Sequence, residues 1–280
     1  MKLSCLPVSY YDDIFGGRMS VGQWAREAAE LGLDAIDLHI GFVKSRELDY
    51  LKKIRREIED TGLRVAMVTT YSDFTYPDPG ERARQVSQSQ VDIAAAAALG
   101  AELVRVTAGQ AHPETGREEG IDWAVEGLTQ SLVVAERHGV QLVFENHEKP
   151  SVWEYRDFAQ PPDIFLSIVE ATAGTSLGIN FDTANPLIYR YDPLPLLEQV
   201  LGRVVSVHAA DTGSWGTKER VVVGTGLVPF TDIFAVLKRA GFDGWICVVE
   251  WSGTGRAGFE AAVNFVRRAW AEAESSGESR

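Results

Sequence analysis

Short apolar runs, rich in β-branched residues, alternate along the whole chain with longer stretches whose apolar positions recur every three or four residues. The short runs predict strands at 3–8, 35–38, 64–69, 102–106, 142–145, 177–182, 204–208 and 245–250. The longer stretches predict helices, the clearest at 21–31, 47–60, 81–99 and 123–138. One joint recurs between the two: Leu31-Gly-Leu-Asp34, Thr61-Gly-Leu-Arg64, Leu99-Gly-Ala-Glu102, His138-Gly-Val-Gln141 and Ala240-Gly-Phe-Asp243. In each, a helix ends at a glycine able to take the left-handed conformation, and a strand follows at once. Strands separated by helices predict parallel βαβ units. The pattern fits a single α/β domain, a (β/α)8 TIM barrel over residues 1–270, with 271–280 expected to be a frayed or disordered C-terminal tail. An open doubly wound sheet would more often carry a Gly-rich phosphate loop after its first strand, and none stands there.

The last four predicted strands share a further feature. Leu142-Val-Phe-Glu145, Leu177-Gly-Ile-Asn-Phe-Asp182, Val204-Val-Ser-Val-His208 and Trp245-Ile-Cys-Val-Val-Glu250 each finish on a residue that can bind a divalent metal. Packing gives a buried strand no reason to end that way. In a parallel barrel the strand C-termini and the loops after them form the active face, so Glu145, Asp182, His208 and Glu250 are expected to converge near the axis. Three carboxylates and one imidazole make a hard, oxygen-rich set. It suits one divalent ion, Mn²⁺ first, with Mg²⁺, Co²⁺ or Zn²⁺ as alternatives.

Composition narrows the field. The chain has 280 residues, is 45% hydrophobic, and carries a net charge of -13 with a pI near 4.9. That balance disfavours a surface that tracks nucleic-acid phosphates. Its 5 histidines are too few for the multinuclear site of a metal-dependent phosphodiesterase. Cys5 and Cys247 fall inside predicted strands and read as small buried hydrophobes, not as a disulfide or a thiolate metal site. Pro7 interrupts the first apolar run too soon for a signal peptide, and no apolar stretch nears the length of a membrane span. The expectation is a cytoplasmic enzyme for a small molecule, without nucleic-acid or membrane partners. A homo-oligomer or a partner subunit stays open.

The strand-end motifs resemble those of the xylose-isomerase-like barrel superfamily, and within it the sugar phosphate isomerase/epimerase family. They stand here as Phe144-Glu145-Asn146-His147, Asn180-Phe181-Asp182-Thr183, Ser206-Val207-His208-Ala209 and Val249-Glu250-Trp251. Gly100-Ala-Glu-Leu-Val-Arg-Val106, Val223-Gly-Thr-Gly-Leu-Val-Pro-Phe230 and Leu237-Lys-Arg-Ala-Gly-Phe-Asp-Gly244 extend the likeness over nearly the whole chain. The resemblance implies an isomerase or epimerase of a sugar or related polyhydroxy compound. Its metal holds a carbonyl and a neighbouring hydroxyl, eases loss of the α proton and stabilises an enediolate. It also implies that Glu145 and Glu250, on opposite faces of the substrate, form the acid/base pair.

Two positions depart from the epimerase pattern. Asn185 stands where epimerases carry His, and Ser214 where they carry Arg, with Lys218 and Arg220 the nearest cations in that loop. In the other direction, His147 lies two residues past Glu145, as in dehydratase-like members. This sustains the alternative of a metal-dependent lyase, dehydroshikimate- or inosose-dehydratase-like or a keto-glycoside β-eliminase, with His147 as base.

Further candidates for substrate contact are His39 at the end of the second strand, Arg105 within the fourth, Asn185, Lys218, Arg220 and Trp251. His39 reads equally well as a packed core histidine. A buried Arg105 needs a carboxylate partner, from the substrate or from the protein. Tyr10, Tyr71, Phe74, Trp153 and Trp215 share the predicted active-face loops and can cover a ring face or pack on one another. His112 reads as a loop residue and His138 as a helix-end cation.

Overall fold

The computed structural model describes residues 1–275. Its strands are β1 (Lys2–Leu6), β2 (Ala35–His39), β3 (Arg64–Thr69), β4 (Leu103–Val106), β5 (Gln141–Glu145), β6 (Gly178–Asp182), β7 (Val204–Ala209) and β8 (Trp245–Val249). Its helices are α1 (Tyr11–Phe15), α2 (Val21–Glu30), α3 (Leu48–Glu59), α4 (Pro79–Ala98) and α5 (Arg117–His138) in the first half. After them come α6 (Pro162–Ala171), α7 (Asn185–Ile188), α8 (Pro193–Val200), α9 (Phe230–Arg239) and α10 (Arg256–Ser275).

The ladders are parallel and run β1-β8-β7-β6-β5-β4-β3-β2. This is the expected eight-stranded barrel, closed by ladders everywhere except at the seam between β1 and β2. At the lower end of that seam the N–H of Asp34 donates to Leu3 O, and Asp34 Oδ2 accepts from Leu3 N, both at 2.9 Å. One short side chain thus replaces the missing rung.

Element ends differ from the hydrophobic pattern for local reasons. The first strand stops at Leu6, because Pro7 cannot donate to a ladder, and the chain turns through a 3-10 helix at Val8–Tyr10. Helix α4 begins at Pro79, capped by Asp78 Oδ1, which accepts from Glu81 N at 2.9 Å. Helix α5 begins at Arg117, well ahead of the apolar period that announces it. Helix α10 continues through Ser275, past the point where fraying is expected, and residues 276–280 lie outside the described ones.

Strand alternation divides the residues cleanly. Ala35, Met67, Leu103, Val143 and Trp245 plug the floor of the barrel. Above them the interior turns polar, with Ser4, Asp37, Arg105, Glu145, Asn180, Ser206 and His208 all buried. The outer helices bury one face each. In α3, Leu51, Ile54 and Ile58 pack inward while Lys53–Glu57 and Arg55–Glu59 pair in solvent.

Helix α5 also holds two loops of the active face. A side chain at Gly127 would overlap the Phe74 ring, and one at Gly120 would overlap the Phe158 ring. Phe74 belongs to the loop after β3 and Phe158 to the loop after β5. Each is pinned again by its own N–H, to Ala108 O at 2.9 Å and Gly109 O at 2.8 Å.

Candidate active site

The cavity at the strand C-termini holds about 320 Å³, the lower end of the range of small-molecule pockets. Glu145, Asp182 and His208 reach it from β5, β6 and β7. Each offers one ligand atom, and these atoms lie within 4.8 Å of one another. His208 Nδ1 is 2.7 Å from Glu145 Oε1. Asp182 Oδ1 accepts from Ala184 N at 2.9 Å and Asn185 N at 2.8 Å, so two amides of the following turn fix its carboxylate. Asn146 ties the strand ends together: its Oδ1 accepts from Asp182 N at 2.8 Å, and its Nδ2 donates to Asp182 O at 2.9 Å.

Arg105 lies against Glu145 with 3.0 Å between Nε and Oε2, and both residues are 2% exposed. The two atoms are close but not aligned for a hydrogen bond, which leaves Oε2 without a donor. The guanidinium instead donates through Nη1 to Thr70 O at 2.8 Å and sits 4.4 Å from the centre of the Tyr71 ring. Despite burial, His208 and then Arg105 hold the Glu145 carboxyl down to about 2. Burial first, and then Glu145, push Asp182 up to about 7. Glu145 carries the stable negative charge of this pair.

His147 stands beside the group. Its Nδ1 is 3.0 Å from Asp157 Oδ2, and Trp153 and Tyr71 pack edge-on against its ring. Burial, and then Arg105, push its imidazolium well below the ordinary histidine range, so the ring is neutral. Asp157 reaches this position because the loops after β4 and β5 are laced together. Ala111 N donates to Arg156 O at 2.8 Å, and Gln110 Oε1 accepts from Glu154 N at 2.8 Å and Tyr155 N at 3.1 Å. No sequence pattern marks Asp157, since its role depends on that lacing.

Glu250 does not join the group. Its Oε2 accepts from Ser9 Oγ, its Oε1 accepts from Ser252 N at 2.9 Å, and the residue is wholly buried. The reason is a period-two count. His208 pairs in register with Cys247, so Cys247 and Val249 face the interior and Glu250 faces the helices. Val249 lines the cavity where a carboxylate is expected. The same count applied to Ala35-Ile-Asp-Leu-His39 would have put Asp37 on the inner face with His39.

The remaining candidates all line the cavity. His39 does two things at once: Nδ1 accepts from Gly41 N at 2.8 Å, which leaves Nε2 free of that bond, while burial and then Arg105 push its pKa to about 3. Asn185 donates through Nδ2 to Asn146 O at 3.0 Å. Lys218 pairs with Glu148 and lies 5.1 Å from the Trp251 ring. Trp251 Nε1 donates to Asp211 O at 3.0 Å, and Arg220 is exposed at the mouth. Of the aromatic residues, Tyr71 lines the cavity and Trp153 is buried beside it, whereas Phe74 packs on α5 and Trp215 is half exposed. His112 is no free loop residue, because its Nε2 is 2.9 Å from the buried Asp73 Oδ2. His138 closes α5 ahead of Gly139, as expected.

These features define a class before any relative is considered: a parallel α/β barrel whose strand ends gather two carboxylates and an imidazole under a small cavity. The chain belongs to the xylose isomerase-like TIM barrel family, which it matches over residues 25–269, and it is an enzyme of that superfamily. It is 29% identical over 242 residues to a provisionally named hydroxypyruvate isomerase of Streptomyces coelicolor, covering 78% of this chain and 81% of that one. It is 24% identical over 246 residues to L-ribulose-5-phosphate 3-epimerase UlaE of Salmonella paratyphi C, covering 82% and 81%. Among solved structures, a D-tagatose 3-epimerase-like protein superposes with a TM-score of 0.80 over 99% of this chain and 100% of its own, at 19% identity. At that identity the likeness shows the fold alone. Among the described residues, no helix is long and apolar enough to cross a membrane.

Proposed function

We propose that the protein is a divalent-metal-dependent isomerase of a small polyhydroxy carbonyl compound, in which His147 moves a proton between adjacent carbons on one face of the substrate. The carrying observation is the neutral His147 imidazole, 3.0 Å from Asp157 through Nδ1 and standing beside Glu145, Asp182 and His208 over one cavity. The three residues fit a single ion: two hard oxygens and one nitrogen are close together, and Glu145 Oε2 is buried with no hydrogen-bond partner. An ion held there supplies a Lewis acid for a carbonyl and its neighbouring hydroxyl. Mn²⁺ suits the donors best, with Mg²⁺, Co²⁺ or Zn²⁺ as alternatives.

The protein's own groups do the rest. When Nδ1–H is donated to Asp157, the lone pair of His147 Nε2 can accept the proton α to the carbonyl and return it to the next carbon, while the hydroxyl proton passes to the neighbouring, former carbonyl oxygen. Asp157 keeps the tautomer and the ring orientation. Arg105 stands over Glu145 and holds it ionised. His39 Nε2–H, Lys218 and Arg220 offer donors to substrate oxygens, and Trp251, Tyr71 and Trp153 keep water from the carbanion. Inversion at one carbon needs proton exchange on both faces. Glu250, expected to serve the second face, is turned away, so the geometry supports isomerisation ahead of epimerisation.

A second reading rests on Glu148. It lines the cavity near Lys218, and burial raises its pKa above the usual carboxylate value, as suits an acid that protonates a departing hydroxyl. His147 as base with Glu148 as acid would make the protein a lyase.

The test is metal analysis of the purified protein, followed by NMR in D₂O with small ketoses, hydroxy-keto acids, inososes and 3-keto-glycosides. Deuterium entering α to a carbonyl, together with an isomeric product, supports the first reading. An alkene signal moves the assignment to the lyase. A protein that takes up none of the four ions sinks both.

A further inference from the structure

One step down each strand from the residues that line the cavity lies a second group that the proposed reaction does not use. Asp37 stands below His39 on β2, Ser4 below Leu6 on β1, and Cys247 below Val249 on β8. His208 reaches this group with its other nitrogen. Nδ1 faces Glu145, and Nε2 points the opposite way, 3.9 Å from Asp37 Oδ2.

The chemistry of this group is unbalanced. Asp37 is wholly buried, and Ser4 and Cys247 stand nearest its carboxylate without either reaching good hydrogen-bond geometry. His208 Nε2 and Ser4 Oγ are also buried without a hydrogen-bond partner. A buried carboxylate is ordinarily paired, hydrogen-bonded or bound to a metal, and several orphaned groups aimed at one point call for a shared occupant. The ligand atoms of Asp37, His208 and Cys247 lie within 4.8 Å of one another. The 3.9 Å between Nε2 and Oδ2 is too long for a hydrogen bond and about 0.5 Å wider than two ligands on one tetrahedral ion, a gap that a small side-chain rotation closes.

We propose that Asp37, Cys247 and His208 Nε2 form a second, interior cation site for Zn²⁺ or another thiol-binding divalent ion, and that this ion staples the barrel across its open seam. One carboxylate, one thiolate and one imidazole nitrogen are a zinc donor set, and Ser4 Oγ is placed beside Cys247 in register to complete four. The position gives the ion its purpose. The seam between β1 and β2 has no ladder above the Asp34–Leu3 stitch, and an ion on Asp37 would tie β2 to β7 and β8 from within. Cys247 gives up its thiol proton to solvent on binding. Where both sites are filled, the imidazole bridges them and loses its second proton too. Cys247 is free and buried, as a small hydrophobe is expected to be, and the proposal gives its thiol a ligand's role besides.

The experiment uses the full chain produced in Co²⁺-supplemented and in Zn²⁺-supplemented medium, with absorbance, elemental analysis and thermal melts. Asp182→Asn disables the proposed catalytic site while sparing the interior one. Cys247→Ser and Asp37→Asn are two independent lesions of the interior site. The expected result is a near-ultraviolet thiolate-to-Co²⁺ band in wild type and D182N that is lost in C247S and D37N. Zinc at about 100 times its dissociation constant should raise the melting temperature of D182N by about 5 °C and leave the D182N/C247S double variant unmoved. A wild type with no thiolate band, or equal stabilisation of D182N and the D182N/C247S double variant, overturns the staple. If D182N keeps the band while wild type shows no α-proton exchange, the isomerase reading falls and the interior site stands.

Discussion

An imidazole can accept a proton only while it is uncharged, and burial beneath Trp153 and Tyr71, with Arg105 nearby, keeps His147 so. Replacing it with glutamine keeps volume and polarity but removes the basic nitrogen. H147Q is expected to lose about 10²–10⁴-fold in kcat while binding the same amount of metal, as read by NMR turnover and elemental analysis. Asp182 makes a separate prediction. Its pKa of about 7 lies above the value of an unfolded aspartate. The metal-free fold therefore holds a proton that the unfolded chain does not between about pH 4 and about pH 7, and this residue's contribution to stability falls as the pH rises through that window. An incoming ion has to displace that proton. Metal affinity should then drop at least about fivefold between pH 7 and pH 6, as measured by titration calorimetry. At this scale Glu145, Asp182 and His208 were legible as strand ends, whereas Glu250 misled. A strand's last residue says which end of the barrel it occupies, but only the count of two says which face.

At the scale of elements, β8 shows what the misplaced glutamate does. Glu250 accepts from Ser9 Oγ and Ser252 N, and Ser9 Oγ in turn accepts from Gly253 N at 2.9 Å. The segment after β1 is thereby locked to the loop after β8, beside the seam. E250A leaves those part-buried donors without their acceptor. It should cost about 1–3 kcal/mol in stability by chemical denaturation, with metal stoichiometry unchanged. A metal-ligating role would give the reverse, with metal lost and the fold spared. Asp211 plays a similar organising part after β7. Its carboxylate collects Thr212 N, Gly224 N, Gly226 N and Val228 N, and so folds the 223–230 motif into a compact turn. That motif was visible in the sequence, but the carboxylate it wraps was not, because the bond spans a loop whose path no local pattern dictates.

Across the whole molecule, two simple periodicities and a repeated glycine joint were enough to specify the barrel. Gly32, Gly62, Gly100, Gly139 and Gly241 all take positive φ, as the joint requires. The seam, the polar interior and the lacing of the loops were not legible, since each depends on side chains meeting from strands far apart in the chain. One of those meetings reaches further than the bonds themselves. The amide of Asn146 pairs with both backbone groups of Asp182, in effect an added rung between β5 and β6. The gap between the Glu145 and Asp182 carboxylates then belongs to the sheet and not to two flexible side chains. Ions should be sorted by radius. Ca²⁺, which wants six to eight oxygens at about 2.3–2.6 Å, would have to spread strands that are welded together, while Mn²⁺ or Mg²⁺ would not. A hundredfold excess of Ca²⁺ should fail to displace Mn²⁺ from the protein, and N146A should let it in.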